Sequence, residues 1–402
     1  MDNNSNITLS KKISGDQDSD ATLVGGVLTH HAGRLYELTT SQNEKIRFAT
    51  VDLLSQLLRQ GLLNPMEAVP YLFALQGDIE AKTIRSLALK LLIAEGHKRP
   101  DMLRQRACAG IRQACAFQGT VYPGRDVTAV LSSKKGEFVE TECIFGSVFK
   151  ECIRNSKKQK RGLFRNLLEL LRSKNELPLL GFAAQVLAHL PYGTVSDPLF
   201  IIHNIQNNAA LDGAQLLDRL CSFLEHQQVP GIDELNTGED SLEIAAKKKK
   251  PSRSKQAAAL TAETFDLSGF AKFCREASSF VVLLRLKAFL RKIYNLSEAR
   301  CLAYNPDNQE RSFDRLVSIP SNVPIFDGRL DCLTTKARGG TSNIDVDAVI
   351  RRYAEFRRLM REEQQSDSKF SDSEDFEDDA RKRKASDLAE EPLSKRAREA
   401  VE

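Results

Sequence analysis

Residues 45–96 read KIRFATVDLLSQLLRQGLLNPMEAVPYLFALQGDIEAKTIRSLALKLLIAEG. Two decamers inside this stretch, KIRFATVDLL from Lys45 and TIRSLALKLL from Thr83, align at an offset of 38 residues. The alignment pairs Ile46 with Ile84, Arg47 with Arg85, Leu53 with Leu91 and Leu54 with Leu92. In both, apolar residues recur at spacings that fill one side of an α-helix. Gly61 breaks the first helix, Asn64 is a good capping residue, and Pro65 suits the first turn of the next helix. Pro70 bends or shortens that helix, and Gly77-Asp78 marks the following turn. Helices repeating with a period near 40 residues are the signature of HEAT and armadillo arrays.

The same periodicity extends outward. It predicts helices near 80–94, 100–117, 142–155, 160–173, 177–190, 198–208, 213–226, 265–294, 297–303 and 345–363, with no run of strict strand alternation. The fold class is therefore all-α, a HEAT-repeat (armadillo-like) helical solenoid with disordered linker and tails. Composition divides the chain into a disordered N-terminal segment (1–30), a HEAT-repeat array (31–226), a disordered basic linker (227–262), a C-terminal helical part of the same region (263–364) and a disordered acidic and basic tail (365–402). Segment 307–344 has weak periodicity and reads as an extended stretch packed on the array. The abrupt start, with no evident cap repeat, suggests the end of something longer or a truncated gene product.

Several function classes are excluded. No apolar run is long enough to span a membrane, and the polar N-terminus has no signal-peptide core. None of the 8 cysteines forms a CxxC pair, so they read as small buried residues of a reducing compartment, with no metal site. Phosphate-loop, GxSxG and HExxH motifs are all missing. His203, inside the apolar run FIIHNI, reads as a satisfied core or surface histidine. The chain is expected to be no enzyme and to need no cofactor.

The charge pattern is more informative. Residues 150–174 hold nine cations against two acids, a net +7, centred on KKQKR at 157–161. This centre is predicted to lie at a turn between helices. Such a turn pairs with several phosphates and releases their counterions, without reading sequence. A solvated inter-helix turn can also be basic, but this density favours an anionic partner. Lys157, Lys158, Lys160, Arg161 and Arg165 are the candidate phosphate contacts. Residues 82–112 carry eight cations against two acids and add Lys98 and Arg99, while Arg85 reads as a structural arginine of the repeat. A third group, Arg285, Lys287, Arg291 and Lys292, lies on an apolar helix, where long cationic stems also cover hydrophobic surface. Two basic runs read as nuclear import signals: Lys247, Lys248, Lys249 and Lys250 in the linker, and Arg381, Lys382, Arg383 and Lys384 in the tail. The acidic stretch 366–379 contains four serines suited to an acidophilic kinase.

Five segments, in order, resemble the C-terminal region of the Nipped-B family of cohesin loaders. They are GLLNPMEAVPYLFALQGD at 61–78, NSKKQKRGLFRNLLELL at 155–171, DPLFIIHNI at 197–205 after HLPYGT at 189–194, VVLLRLKAFLRKIYNLSEARCLAYNP at 281–306, and RRYAEFRRLM at 351–360. Asn64, Pro65, Pro70, Tyr71, Pro198, Leu199 and Phe200 carry the motif and are structural. The resemblance spans about residues 40–363. It implies a hook-shaped HEAT body in the nucleus, bound to chromatin. The implied partners are DNA and the cohesin complex, with its SMC ATPase subunits and kleisin. The implied activity is stimulation of the cohesin ATPase and loading of cohesin for sister chromatid cohesion, chromosome organisation and gene regulation. The family's larger members bind a loader partner subunit through a long N-terminal portion that this chain lacks, so that interaction is not implied. Two other expectations fit the residues: a generic HEAT adaptor without DNA binding, and a truncated paralogue competing with a full-length loader.

Overall fold

A computed structural model describes residues 25–135, 138–172, 177–227, 265–307, 313–317, 323–336 and 342–365. Its helices are α1 (25–38), α2 (Glu44–Arg59), α3 (Pro65–Ala74), α4 (Lys82–Lys98), α5 (Pro100–Val121), α6 (Lys157–Arg172), α7 (Leu177–His189), α8 (Ser196–Asn208), α9 (Ala214–His226), α10 (Leu267–Ile293), α11 (Glu298–Leu302) and α12 (346–365). Two short antiparallel hairpins interrupt them: β1 (Val130–Lys135) with β2 (Phe138–Cys143), and β3 (Thr334–Lys336) with β4 (Ser342–Ile344). The architecture is an all-α helical solenoid.

The local code acts as its chemistry dictates. The Asn43 side chain caps α2 and that of Asn64 caps α3, each accepting a backbone N–H from the first turn at 3.0 Å. Gly61 ends α2 at φ 73°, and the Leu62 N–H returns to the Leu57 carbonyl at 2.9 Å, a Schellman closure. Asn295, at φ 48°, closes α10 in the same way, with the Leu296 N–H bonded to the Arg291 carbonyl.

Helices then stack mainly on near neighbours in sequence: α2 on α4, α3 on α5, α5 on α6, and α6 on α7 and α8. Asp78 joins the first repeats. Its carboxylate is fully buried, pairs with Arg47 at 2.9 Å, and accepts from the Tyr122 hydroxyl at 2.5 Å and the Ala81 N–H at 3.0 Å. Arg85 donates to the Asp78 and Ile79 carbonyls. The two arginines matched by the 38-residue offset thus converge on one loop. The matched apolar positions differ more: Ile84 is fully buried, whereas Ile46 is 41% exposed.

The long helix α10 departs from simple stacking and packs against α6, α7, α8 and α9 together. Helix α12 lies along α10, held by Phe270 against Tyr353 and by a buried Lys287–Glu363 pair at 2.5 Å. Residues 313–317 and 323–333 form an extended strap over the helices. The Phe326 N–H donates to His189 Nε2 at 3.0 Å, and Gln185 donates to the Phe326 carbonyl at 3.1 Å. At Gly181 of α7 and Gly328 of the strap, backbone meets backbone, and a Cβ on Gly328 would fall 2.9 Å from Gly181 Cα.

Three expectations need correction. Residues 25–30 begin helix α1 instead of extending a disordered segment, because Leu28, Ala32, Leu35 and Tyr36 form an apolar face packed on the core. No strand was expected, yet the β1–β2 hairpin occupies 130–143 and takes the start of the predicted helix 142–155. Gln185 and Gln118 fix its base, accepting the N–H groups of Ala129 and Thr128 at 3.0 and 2.7 Å. Third, KKQKR is the first turn of α6 and not a loop between helices. The linker 228–264 and the tail 366–402, with both import-signal runs and the acidic serine stretch, lie outside the described residues.

Candidate nucleic-acid interface

Helix α6 places the basic centre. Ser156 precedes it, and its carbonyl accepts the Lys160 N–H at 3.0 Å. Leu163, Phe164, Leu167, Leu168, Leu170 and Leu171 form the buried face, so the helix orientation is set by apolar packing. The first turn holds no acid. Cations there oppose the helix macrodipole, at a cost of some tenths of a kcal/mol up to about 1. The charge therefore does not serve helix formation.

The five candidate cations of this segment fall into three environments. Lys157 and Lys158 are exposed. Arg165 is exposed and Arg161 half-buried, with guanidinium carbons 5.4 and 5.2 Å from the Phe200 ring centre. Lys158, Arg161 and Arg165 stand at helical spacing (i, i+3, i+7) and make one stripe. Lys160 points the other way. It is buried and pairs with Asp197 at 2.7 Å, while the same Asp197 carboxylate accepts the Gly193 and Thr194 N–H groups at 3.2 and 3.3 Å. Lys160 is therefore a structural cation that ties α6 to the turn before α8, and, contrary to the expectation from the sequence, its ammonium is turned away from any phosphate.

The second basic stretch meets the first in space. The Arg104 side chain of α5 crosses α6 at Gly162, where a Cβ would lie 2.8 Å from Arg104 Cδ. Farther along, the Cys108 thiol donates to the Asn166 carbonyl at 3.3 Å. Arg99, at the α4–α5 junction, is exposed, and Lys98 is exposed but bonded to Glu95 at 2.6 Å. Arg300 of α11, absent from the sequence candidates, reaches this side through a chain of rings. Its guanidinium lies over Phe313, Phe313 meets Tyr304 edge-on, and Tyr304 lies beside Arg161. No signal in the sequence brings α11 to α6. The third basic group is largely engaged in structure: Arg285 pairs with Glu355, Lys287 with Glu363 and Arg291 with Glu298.

The motif residues are architectural. Asn64 and Pro65 start α3, Pro70 lies within it, and Tyr71 stacks on Tyr36 with ring centres 4.6 Å apart. Pro198 and Leu199 are buried in the first turn of α8, and Phe200 supplies the ring beneath Arg161 and Arg165. Burial pushes the Tyr192 phenol far up, and its hydroxyl donates to the Leu187 carbonyl. His203 bonds Asn207 at 3.1 Å, and burial lowers its pKa. Among the described residues no cluster of His, Cys, Asp or Glu suits a metal ion, and no helix is long and apolar enough to cross a membrane.

Residues 24–208 match the family model described as the sister chromatid cohesion C-terminus. Nipped-B-like protein A of Danio rerio is 26% identical over 216 residues, covering 53% of this chain and 9% of its own length. Nipped-B-like protein of Mus musculus is 22% identical over 380 residues (85% and 13%), and Nipped-B protein of Drosophila melanogaster 22% over 299 residues (73% and 14%). This chain therefore spans about a tenth of the length of these relatives. A solved structure, the C-terminal fragment of the Chaetomium thermophilum cohesin loader SCC2, is also similar, with a TM-score of 0.48 and 14% identity over 70% of this chain and 18% of that one. Residues 24–208 thus match the C-terminal family model of the sister chromatid cohesion proteins, and the curated relatives named above are Nipped-B proteins.

Proposed function

We propose that this chain is a chromatin scaffold of the cohesin-loader type, acting in the nucleus without catalysis of its own. In this reading the stripe Lys158, Arg161 and Arg165, extended by Lys157, Arg99 and Arg300, lies along the phosphates of duplex DNA. Other helical surfaces engage cohesin's SMC ATPase subunits and kleisin, stimulate ATP hydrolysis, and so support loading. The observation that carries the DNA part is convergence. Two basic stretches far apart in sequence meet where Arg104 crosses Gly162, beside two arginines stacked on Phe200. The match of residues 24–208 to the sister chromatid cohesion family model supports the role in cohesion.

The test is fluorescence anisotropy with a labelled duplex at two salt concentrations. It compares the intact chain with the triple variant Lys157→Glu, Lys158→Glu, Arg165→Glu, all three residues being exposed. Each lost phosphate contact should reduce the slope of log K against log salt by about 0.9, so the variant should lose at least about two units of slope. Equal slopes and affinities would remove DNA from the proposal and leave a protein adaptor of the same fold.

A further inference from the structure

A second surface feature lies away from the basic stripe. Between α7 and the strap runs a groove of about 820 Å³, a size that accommodates a bulky side chain with room to spare. Pro178 and Phe182 of α7 face Leu330 and Leu333 of the strap across it. Its lip carries two arginines, with the Asp126 carboxylate beside them. Arg275 of α10 is exposed and makes no ion pair among the described residues. Arg329 is 74% exposed and among the described residues holds only surface pairs, with Asp126 and Asp327, of a kind worth about 0–1 kcal/mol and readily exchanged. An apolar slot with arginines at its edge fits a bulky apolar side chain flanked by carboxylates.

The chain itself contains such a segment. Residues 366–379, SDSKFSDSEDFEDD, hold seven acids against one lysine, and Phe376 stands between Asp375 and Glu377. The tether is long enough. Helix α12 runs alongside α10 until Glu363 meets Lys287, and Lys287 is twelve residues, roughly 18 Å of helix, beyond Arg275. The eleven residues from 366 to 376 span up to about 36 Å when extended. We propose that this groove is the docking site of the chain's own acidic segment, with the Phe376 ring in the apolar slot and the Asp375 and Glu377 carboxylates against Arg275 and Arg329.

Cys332 provides the readout. It lines the groove and is the exposed cysteine among eight free thiols. Its hydrogen bonds with Thr334 lower its pKa, whereas burial pushes Cys143 and Cys274 up to about 12. Alkylation by iodoacetamide, followed residue by residue with peptide mass spectrometry, therefore reports cover over the groove in the intact 402-residue chain. Phe376→Ala should speed Cys332 alkylation about tenfold, given the millimolar effective concentration of a short tether. Arg329→Glu should act in the same direction. Cys274, buried against α12, should stay protected in both and so verify folding. A synthetic peptide of residues 370–380, added to the Phe376→Ala chain, should restore slow alkylation, and the same peptide with alanine at 376 should not. Equal Cys332 rates in the wild-type and Phe376→Ala chains overturn the proposal. Protection that vanishes on dilution overturns docking within one chain and assigns the tail to a second copy.

Discussion

At the scale of single residues, similar side chains take opposite tasks according to the face they occupy. Lys160 and Arg161 are neighbours in sequence, yet one is buried in an ion pair and the other lies over an aromatic ring near the surface. Removing one partner of a buried pair strands the other charge, at about 3 kcal/mol or more. Asp197→Asn should therefore lower stability by that order, read as a lower urea midpoint. Loss should be far smaller for Lys158→Gln, whose side chain is exposed. His189 adds a pH dependence with a definite sign. Burial holds its imidazole down at about 4, below the ordinary 6.5, and its Nε2 must stay unprotonated to accept from Phe326. Between those values the unfolded chain binds a proton that the folded chain refuses. The His189 contribution is intact above pH 6.5 and declines as pH falls towards 4, by on the order of 3 kcal/mol in total. His189→Gln should flatten the fall in urea midpoint between pH 6.5 and 4.5, and an unchanged pH slope would refute the assignment.

At the scale of elements, the strap depends on two glycines. Gly328 meets the backbone of α7 at Gly181, where neither side has a flexible atom that can yield. Gly328→Ala should cost about 1–3 kcal/mol through overpacking and free the strap before the helices. Hydrogen exchange should then quicken at residues 323–333 while α10 amides stay slow; uniform protection in both regions would show that the crossing tolerates a methyl group. The hairpin β1–β2 teaches a related lesson. Its base is set by Gln118 at the end of the preceding helix and by Gln185, 56 residues beyond Ala129, so local periodicity could not separate it from a short helix.

At the scale of the whole molecule, α10 changes the character of the array. A pure solenoid has contacts only between neighbouring repeats. Here one helix of 27 residues touches four earlier ones, and α12 and the strap are layered on it. Damage to the C-terminal part should therefore be felt as far back as α6. At the opposite end, Val27, Leu38, Ile46, Phe48 and Leu53 keep exposed apolar side chains on α1 and α2.

The sequence by itself determined the helical class, most helix boundaries, the cap at Asn64, the break at Gly61 and the family resemblance, because capping and apolar spacing are local chemistry written within a few residues. It also marked where positive charge is dense. Only the tertiary structure decided which cations face outward, that Lys160 is bound to Asp197, that Arg104 and Arg300 approach α6, and that the strap runs along α7. Those outcomes depend on pairings between residues tens to more than a hundred positions apart. A charge on a helix is legible in one dimension, but its burial is fixed only when another helix arrives to cover it.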